Sequence, residues 1–290
     1  MTGDWQSDRE PVWEPACNIE TLKVRAGMLR AIRHFFEQRD VLEVQMPVLG
    51  RYAVTDPGIE CIQTQDGRHL QPSPEYHMKR LLAAGAPSVF GIGPVFRAGE
   101  AGRWHNPEFT MLEWYRLGFD AEDLMRELTA LVNALLGAAD YERRTFASLV
   151  DIDTEAAAAD ALDLAISNAI DGLGAGRVFV TDYPARQSAL ARTSNGIATR
   201  FELVIDGLEV ANGYHELRDA EELGRRLAGD NLVRRERNQR VVDVDAALLA
   251  AHANGLPDCA GVAVGFDRLV ALRLGADALA DVMAFPGDRA

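Results

Sequence analysis

Apolar residues recur along the chain with two different periods, and the switches between them predict the order of elements. From Leu22 to Phe36 the positions Leu22, Met28, Leu29, Ile32, Phe35 and Phe36 fall at helical spacing. Past Asp40 the run VLEVQMPVL alternates as a strand and ends at Pro47, which lacks the N–H a ladder needs. The stretch 73–84 reads as a helix, with Ser73 as its N-cap and Pro74 in the first helical position. Strands are expected at SVFGI (88–92) and FTMLEWYR (109–116), then an amphipathic helix over 121–139. Residues 140–176 are alanine-rich and carry little periodic signal. GLGAGR (172–177) does not complete a dinucleotide fingerprint and precedes a strand, so it reads as a plain turn. FELVI (201–205) and LEVANGY (208–214) flank Asp206-Gly207, a hairpin with a DG turn. Helices are expected over 217–252, and GVAVGFDRLVALRLG (261–275) reads as a strand running into a helix. Strands joined by hairpins and mixed with separate helices predict an α+β fold on a mainly antiparallel sheet. Residues 1–18 are polar and read as a loose arm ahead of one domain, 19–290.

Composition narrows the classes. With 290 residues, 48% of them hydrophobic, the chain can bury a sizeable core. No stretch approaches a membrane span, and the start has neither a basic n-region nor an apolar h-region, which predicts a cytoplasmic protein. Cys17, Cys61 and Cys259 are far apart and form no CxxC pair, so neither a disulfide framework nor a structural zinc site is expected. The net charge of −14 repels phosphate backbones at long range and predicts no stable tRNA binding. Arginine supplies nearly all positive charge; Lys23 and Lys79 are the only lysines.

Three segments carry candidate chemistry. FRAGEAGRWHNPEFTMLEWY (96–115) is two strands around a loop with Arg97, Arg103, His105 and Asn106. A strand-borne arginine is rigid enough to neutralise charge that develops on a phosphate, and Phe109 suits stacking on a base; a solvated charged hairpin would read the same way. LEVANGYHEL (208–217) carries Glu209 and Glu216. Seven residues apart on one strand they would face opposite ways, so their convergence on Mg²⁺ calls for a turn at Asn212-Gly213; the alternative is two exposed acids. In GVAVGFDRLV (261–270) glycines flank a strand and Arg268 follows on the first helical turn, either at a ligand or in an ion pair.

Together, Pro47 closing a helix–strand unit, FRxxE…HNPEFTMLEWY and GVAVGFDRL resemble the three motifs of class II aminoacyl-tRNA synthetases. SPEYHMKRLL, RWHNPEFTMLEWY, EVANGYHEL and LPDCAGVAVGFDRL resemble the elongation factor P β-lysine ligases, a family of lysyl-tRNA synthetase paralogues. The resemblance covers about residues 20–290 and is thin over 140–176. The Walker A string and the HIGH and KMSKS strings are absent. The resemblance implies an ATP-dependent ligase, using Mg²⁺, that activates (R)-β-lysine as its adenylate and passes it to a lysine of elongation factor P. Short flanks before the first helix leave no space for an anticodon-binding domain, and Ala263 stands where lysyl-tRNA synthetases have glycine. A truncated lysyl-tRNA synthetase-like enzyme and a non-catalytic regulatory binding module are the alternatives.

By the same resemblance, Ser73, Pro74 and Glu75 line the amino-acid site, Tyr115 and Glu216 read the far amine, and Ala263 forms the floor. Arg97 bridges the substrate carboxylate and the α-phosphate, and Arg268 grips the γ-phosphate. Ala98, Gly99, Glu100, His105, Asn106, Phe109, Glu209, Val210 and Gly265 complete the ATP site. Glu209 and Glu216 hold Mg²⁺. The family reads Arg-x-Glu in the second motif; here Gly99 occupies the glutamate position and Glu100 follows. The first motif implies a homodimer. No side chain acts as a nucleophile in this chemistry, and the sequence does not name the base for the second step.

Overall fold

The computed structural model describes residues 13–290. Eight helices, α1 (Ile19–Glu37), α2 (Glu75–Ala83), α3 (Ala121–Leu136), α4 (Phe146–Leu149), α5 (Ala159–Asp171), α6 (Ala220–Glu236), α7 (Ala246–Gly255) and α8 (Phe266–Leu274), surround one large sheet. The strands are β1 (Leu42–Glu43), β4 (Val89–Phe96), β5 (Glu108–Leu117), β6 (Tyr141–Thr145), β7 (Arg177–Pro184), β9 (Ile197–Ile205), β10 (Leu208–His215) and β11 (Cys259–Gly265). The short β8 (Thr193–Ser194) pairs with β9, while β2 (Leu49–Gly50) and β3 (His69–Leu70) form a separate ribbon. The sheet runs β1-β4-β5-β11-β10-β9-β7-β6. Its six inner strands are antiparallel, and the edge pairs β1–β4 and β6–β7 are parallel. The expected α+β class and mainly antiparallel sheet are what the molecule has.

Most of the arm expected over 1–18 lies outside the described residues. Within them Cys17 is buried, and Ala16 donates its backbone N–H to Ala284 O at 2.7 Å, so the segment just ahead of α1 is part of the packed body. The alternating run after Asp40 contributes only Leu42–Glu43 to the sheet. Val44 N–H makes the last bond to that edge, 2.8 Å to Phe90 O, and the chain then leaves the ladder before Pro47. The alanine-rich stretch folds into β6, α4 and α5; in α5, Leu162, Ile166 and Ile170 recur every four residues and are buried, a stripe masked by the surrounding alanines. The helical run expected over 217–252 breaks between α6 and α7, each capped by an aspartate side chain, Asp219 and Asp245.

Strand alternation divides the central sheet into two chemically different faces. Leu112 and Trp114 on β5, Phe201 and Leu203 on β9, and Val262 and Val264 on β11 belong to the main core, under α1, α3 and α8. Helix α3 is well suited to that role: Leu124, Leu128, Leu131, Val132 and Leu135 form one buried stripe, and an Asp120/Asp123 capping box fixes its start. The intervening residues Phe109, Met111, Glu113 and Tyr115 on β5, Arg200 and Glu202 on β9, and Gly261, Ala263 and Gly265 on β11 point to the opposite face and line a cavity. The same period that builds the core therefore builds the site.

Candidate active site

The cavity has a volume of about 400 Å³ and is floored by β5, β9, β10 and β11. Helix α2 walls one end, while the loop between β4 and β5 and the start of α8 wall the other. On β10 a β-bulge between Glu209 and Ala211 sets two residues against one on β9. Asn212 and Gly213 continue the ladder opposite Glu202 and Phe201, so the turn expected there does not exist. The extra residue changes the parity of the strand instead. Glu209, Asn212, Tyr214 and Glu216 all reach the cavity.

At the α2 end three carboxylates meet. Glu113 is buried and accepts hydrogen bonds from Ser73 Oγ (2.8 Å) and Tyr115 OH (2.7 Å). Ser73 Oγ also accepts from Glu75 N–H at 2.9 Å, while α2 begins one residue later than expected, with Pro74 at its N-cap, and Glu75 lines the cavity. Glu216 is fully buried and lies 2.6 Å from Lys79 Nζ; apart from that ion pair its oxygens have no hydrogen-bond partner. Lys79 Nζ also reaches Glu75 Oε1 at 2.6 Å. Burial, with the other acids adding to it, pushes Glu113 up to about 7 and Glu216 up to about 8, while the two carboxylates hold Lys79 protonated, above its ordinary range. A glycine makes this crowding possible: a Cβ on Gly261 would stand 2.3 Å from the Tyr115 ring and 2.7 Å from Glu216 Oε1.

The other end is rich in arginine. Arg268 donates to Glu209 O (2.6 Å) and Trp104 O (3.3 Å), and its Nη2 lies 3.1 Å from His105 Nε2. Burial and the Arg268 charge lower the His105 pKa, so the ring is neutral and can accept that bond. The Arg97 guanidinium lies 5.2 Å over the Phe109 ring and 3.5 Å from Glu100 Oε1, and its Nε is buried without a partner. Arg200 pairs with Glu202 and donates to Gln187 O at 2.8 Å. Glu209 is pushed up to about 7 by burial first and by the neighbouring Glu202 charge second, against Arg268, Arg200 and Arg97.

Of the residues singled out in the sequence, Arg97, Glu100, His105, Asn106, Phe109, Glu209, Val210, Gly265 and Arg268 line this end, while Ser73, Glu75, Tyr115, Glu216 and Ala263 line the other. Ala98, Gly99 and Pro74 do not line the cavity. Gly99 adopts φ +76°, a left-handed turn after which Glu100 faces Arg97. Asn106 commits its amide to Glu108 O and to Gly287 N–H (2.9 Å), so the side chain braces the loop. The pairing of Glu209 with Glu216 gives way to a different one: Glu209 stands with Glu202, and Glu216 with Lys79. Glu113, Glu202, Arg200 and Lys79 went unassigned in the sequence. The first three sit at even spacing from residues that were assigned or from each other on one strand face, and Lys79 is four residues after Glu75 on a helix; both spacings were available signals.

Residues 16–289 match the family of class II tRNA synthetases for D, K and N, and the chain belongs to that family. Among its relatives, the elongation factor P–(R)-β-lysine ligase of Vibrio cholerae is 40% identical over 96% of this chain and 98% of that protein. The protein of the same name from Yersinia enterocolitica is 41% identical with the same coverage.

Proposed function

We propose that the chain activates (R)-β-lysine with ATP as the β-lysyl adenylate and transfers it to a lysine side chain of elongation factor P. The observation that carries the substrate class is the charge of the α2 end. Glu75, Glu113 and Glu216 against the single Lys79 leave two negative charges when fully ionised, the complement of an amino acid with two ammonium groups. The arginines at the other end suit a triphosphate, and the names of the relatives supply the acceptor.

In this reading the substrate ammonium groups face Glu75 and Glu113 on one side and Glu216 with Tyr115 on the other, above the Ala263 floor. The substrate carboxylate attacks the α-phosphorus in line; Arg97 takes up the developing charge, and pyrophosphate leaves toward Arg268 and His105. Phe109 stacks on the base. Glu202, buried and paired with Arg200, and the half-buried Glu209 fit Mg²⁺, since the Glu202 charge adds to burial in raising the Glu209 pKa and a divalent cation would relieve that repulsion. Among the described residues no cluster of three or more His, Cys, Asp or Glu side chains is placed to hold a metal, so nucleotide phosphates would complete the shell. When bound, the ion supplies charge neutralisation at the phosphates. In the second half the acceptor amine, once deprotonated, attacks the adenylate carbonyl, an amide forms and AMP leaves.

We further propose a cytoplasmic homodimer paired through α1 and residues 41–48, where Leu42 and Val48 are exposed. No helix among the described residues is long and apolar enough to cross a membrane. Residues 19–290 act as one catalytic domain in this reading. The test of the acceptor is to incubate enzyme, ATP, Mg²⁺ and (R)-β-lysine with elongation factor P or with total tRNA. A β-lysyl mass increase on elongation factor P is expected; robust tRNA charging with no such increase would overturn the assignment.

A further inference from the structure

Lys79 has no part in the lining of the cavity, yet its ammonium group joins two of the carboxylates that do line it. It is fully buried on α2 behind the wall. Its Nζ lies 2.6 Å from Glu75 Oε1, on its own helix, and 2.6 Å from Glu216 Oε2, at the end of β10. Those nearest oxygens can therefore be no farther apart than the sum of the two bonds. Glu113 is held differently, by two neutral donors, Ser73 and Tyr115. The cation is thus used on one specific pair of acids. Without it, Glu75 and Glu216 would repel each other at short range, and the ion pair from α2 to the end of β10 would be lost.

We propose that Lys79 is a positioning residue for the amino-acid substrate: by bridging Glu75 and Glu216 it fixes the spacing of the carboxylates that face the substrate's ammonium groups, and so determines which separation of amines the pocket prefers. This rests on the assignment of a diamino acid to the α2 end. Lys79 touches neither substrate nor ATP; it acts through the two glutamates. Loss of the bridge lets the carboxylates relax apart and adds one unbalanced negative charge. Binding of a diamino acid then weakens, and preference among diamino acids of different amine spacing flattens, while the ATP site, at the far end of the same strands and away from Lys79, is untouched.

The experiment compares wild type, Lys79→Met and Lys79→Arg in amino-acid-dependent ATP–pyrophosphate exchange with (R)-β-lysine, α-lysine and ornithine, with folding checked by circular dichroism. The methionine removes the charge at similar length; the arginine keeps the charge but cannot reproduce the geometry of a point donor. For folded Lys79→Met the expected result is a KM for the preferred diamino acid raised by about tenfold or more, a KM for ATP near wild type, and a compressed ratio among the three amino acids. Lys79→Arg should restore part of the affinity with an altered order of preference. A folded variant of either kind with wild-type KM and wild-type preference would overturn the proposal. So would failure of both variants to fold, since Lys79 would then be a folding residue. Absence of exchange with every diamino acid in the wild-type enzyme is a different outcome, and it would remove the substrate assignment itself.

Discussion

The two ends of the cavity are built on the same strands but differ in what they leave unsatisfied. At the α2 end the buried atom without a partner is an acceptor, Glu216 Oε1, while Oε2 is held by Lys79, and acids outnumber bases. At the loop end the orphan is a donor, Arg97 Nε, and arginines are interleaved with glutamates. One end is short of cations and the other of an anion's oxygens. A ligand carrying ammonium groups at one end and phosphates at the other satisfies both, which is the shape of an aminoacyl adenylate of a diamino acid. Unpartnered polar atoms in a pocket thus report the chemistry of the ligand it suits more directly than the side-chain inventory does.

Breaking either end should have separable effects. The largest is expected at the phosphate end: Arg97→Ala should lower the exchange rate by about 3 kcal/mol or more of transition-state stabilisation while the protein stays folded; exchange kinetics on a folded variant measure it. Next is Glu113→Gln, which removes a charge but keeps the shape. It should raise KM for the diamino acid by about 1.5–3 kcal/mol and leave KM for ATP unchanged, as a pair of substrate titrations would show.

The raised pKa values sharpen the comparison through pH. Glu113, up to about 7, and Glu216, up to about 8, keep protons in the empty fold that the unfolded chain has already released. Their contribution to stability is therefore present below the ordinary carboxylate range and is lost as pH rises through those values. The melting temperature of the ligand-free protein should fall between about pH 5 and pH 8 and level off above that, and a diamino acid should stabilise it more at the upper end. Calorimetry with and without ligand tests the sign. The smallest expected effect is at the floor. Ala263→Gly should move preference from β-lysine toward α-lysine by about 1–3 kcal/mol, read as the ratio of catalytic efficiencies.

Legibility in the sequence followed the local period. Strands β5, β9, β10 and β11, helices α1, α2, α3 and α8 and the Asp206-Gly207 turn were visible because alternation or a 3.6-residue stripe marks them, and both turn residues adopt positive φ as a primed turn requires. Helix α5 was hidden because its three buried residues sit among alanines that suit either face. The bulge at Val210 was hidden as well, since one extra residue leaves no mark on composition, and it reversed the reasoning about Glu209 and Glu216. Glu113 and Lys79 were present in quoted motifs, but a buried carboxylate and a buried ammonium group look like surface charges until the fold places them. What sequence cannot express is which charges share a closed space.

The most direct test of the account is ATP–pyrophosphate exchange with (R)-β-lysine beside its analogue lacking the distal amine. The account predicts exchange with the diamine and at least about a hundredfold loss with the monoamine, because buried carboxylates would be left unpaired. Comparable exchange with both compounds would contradict it.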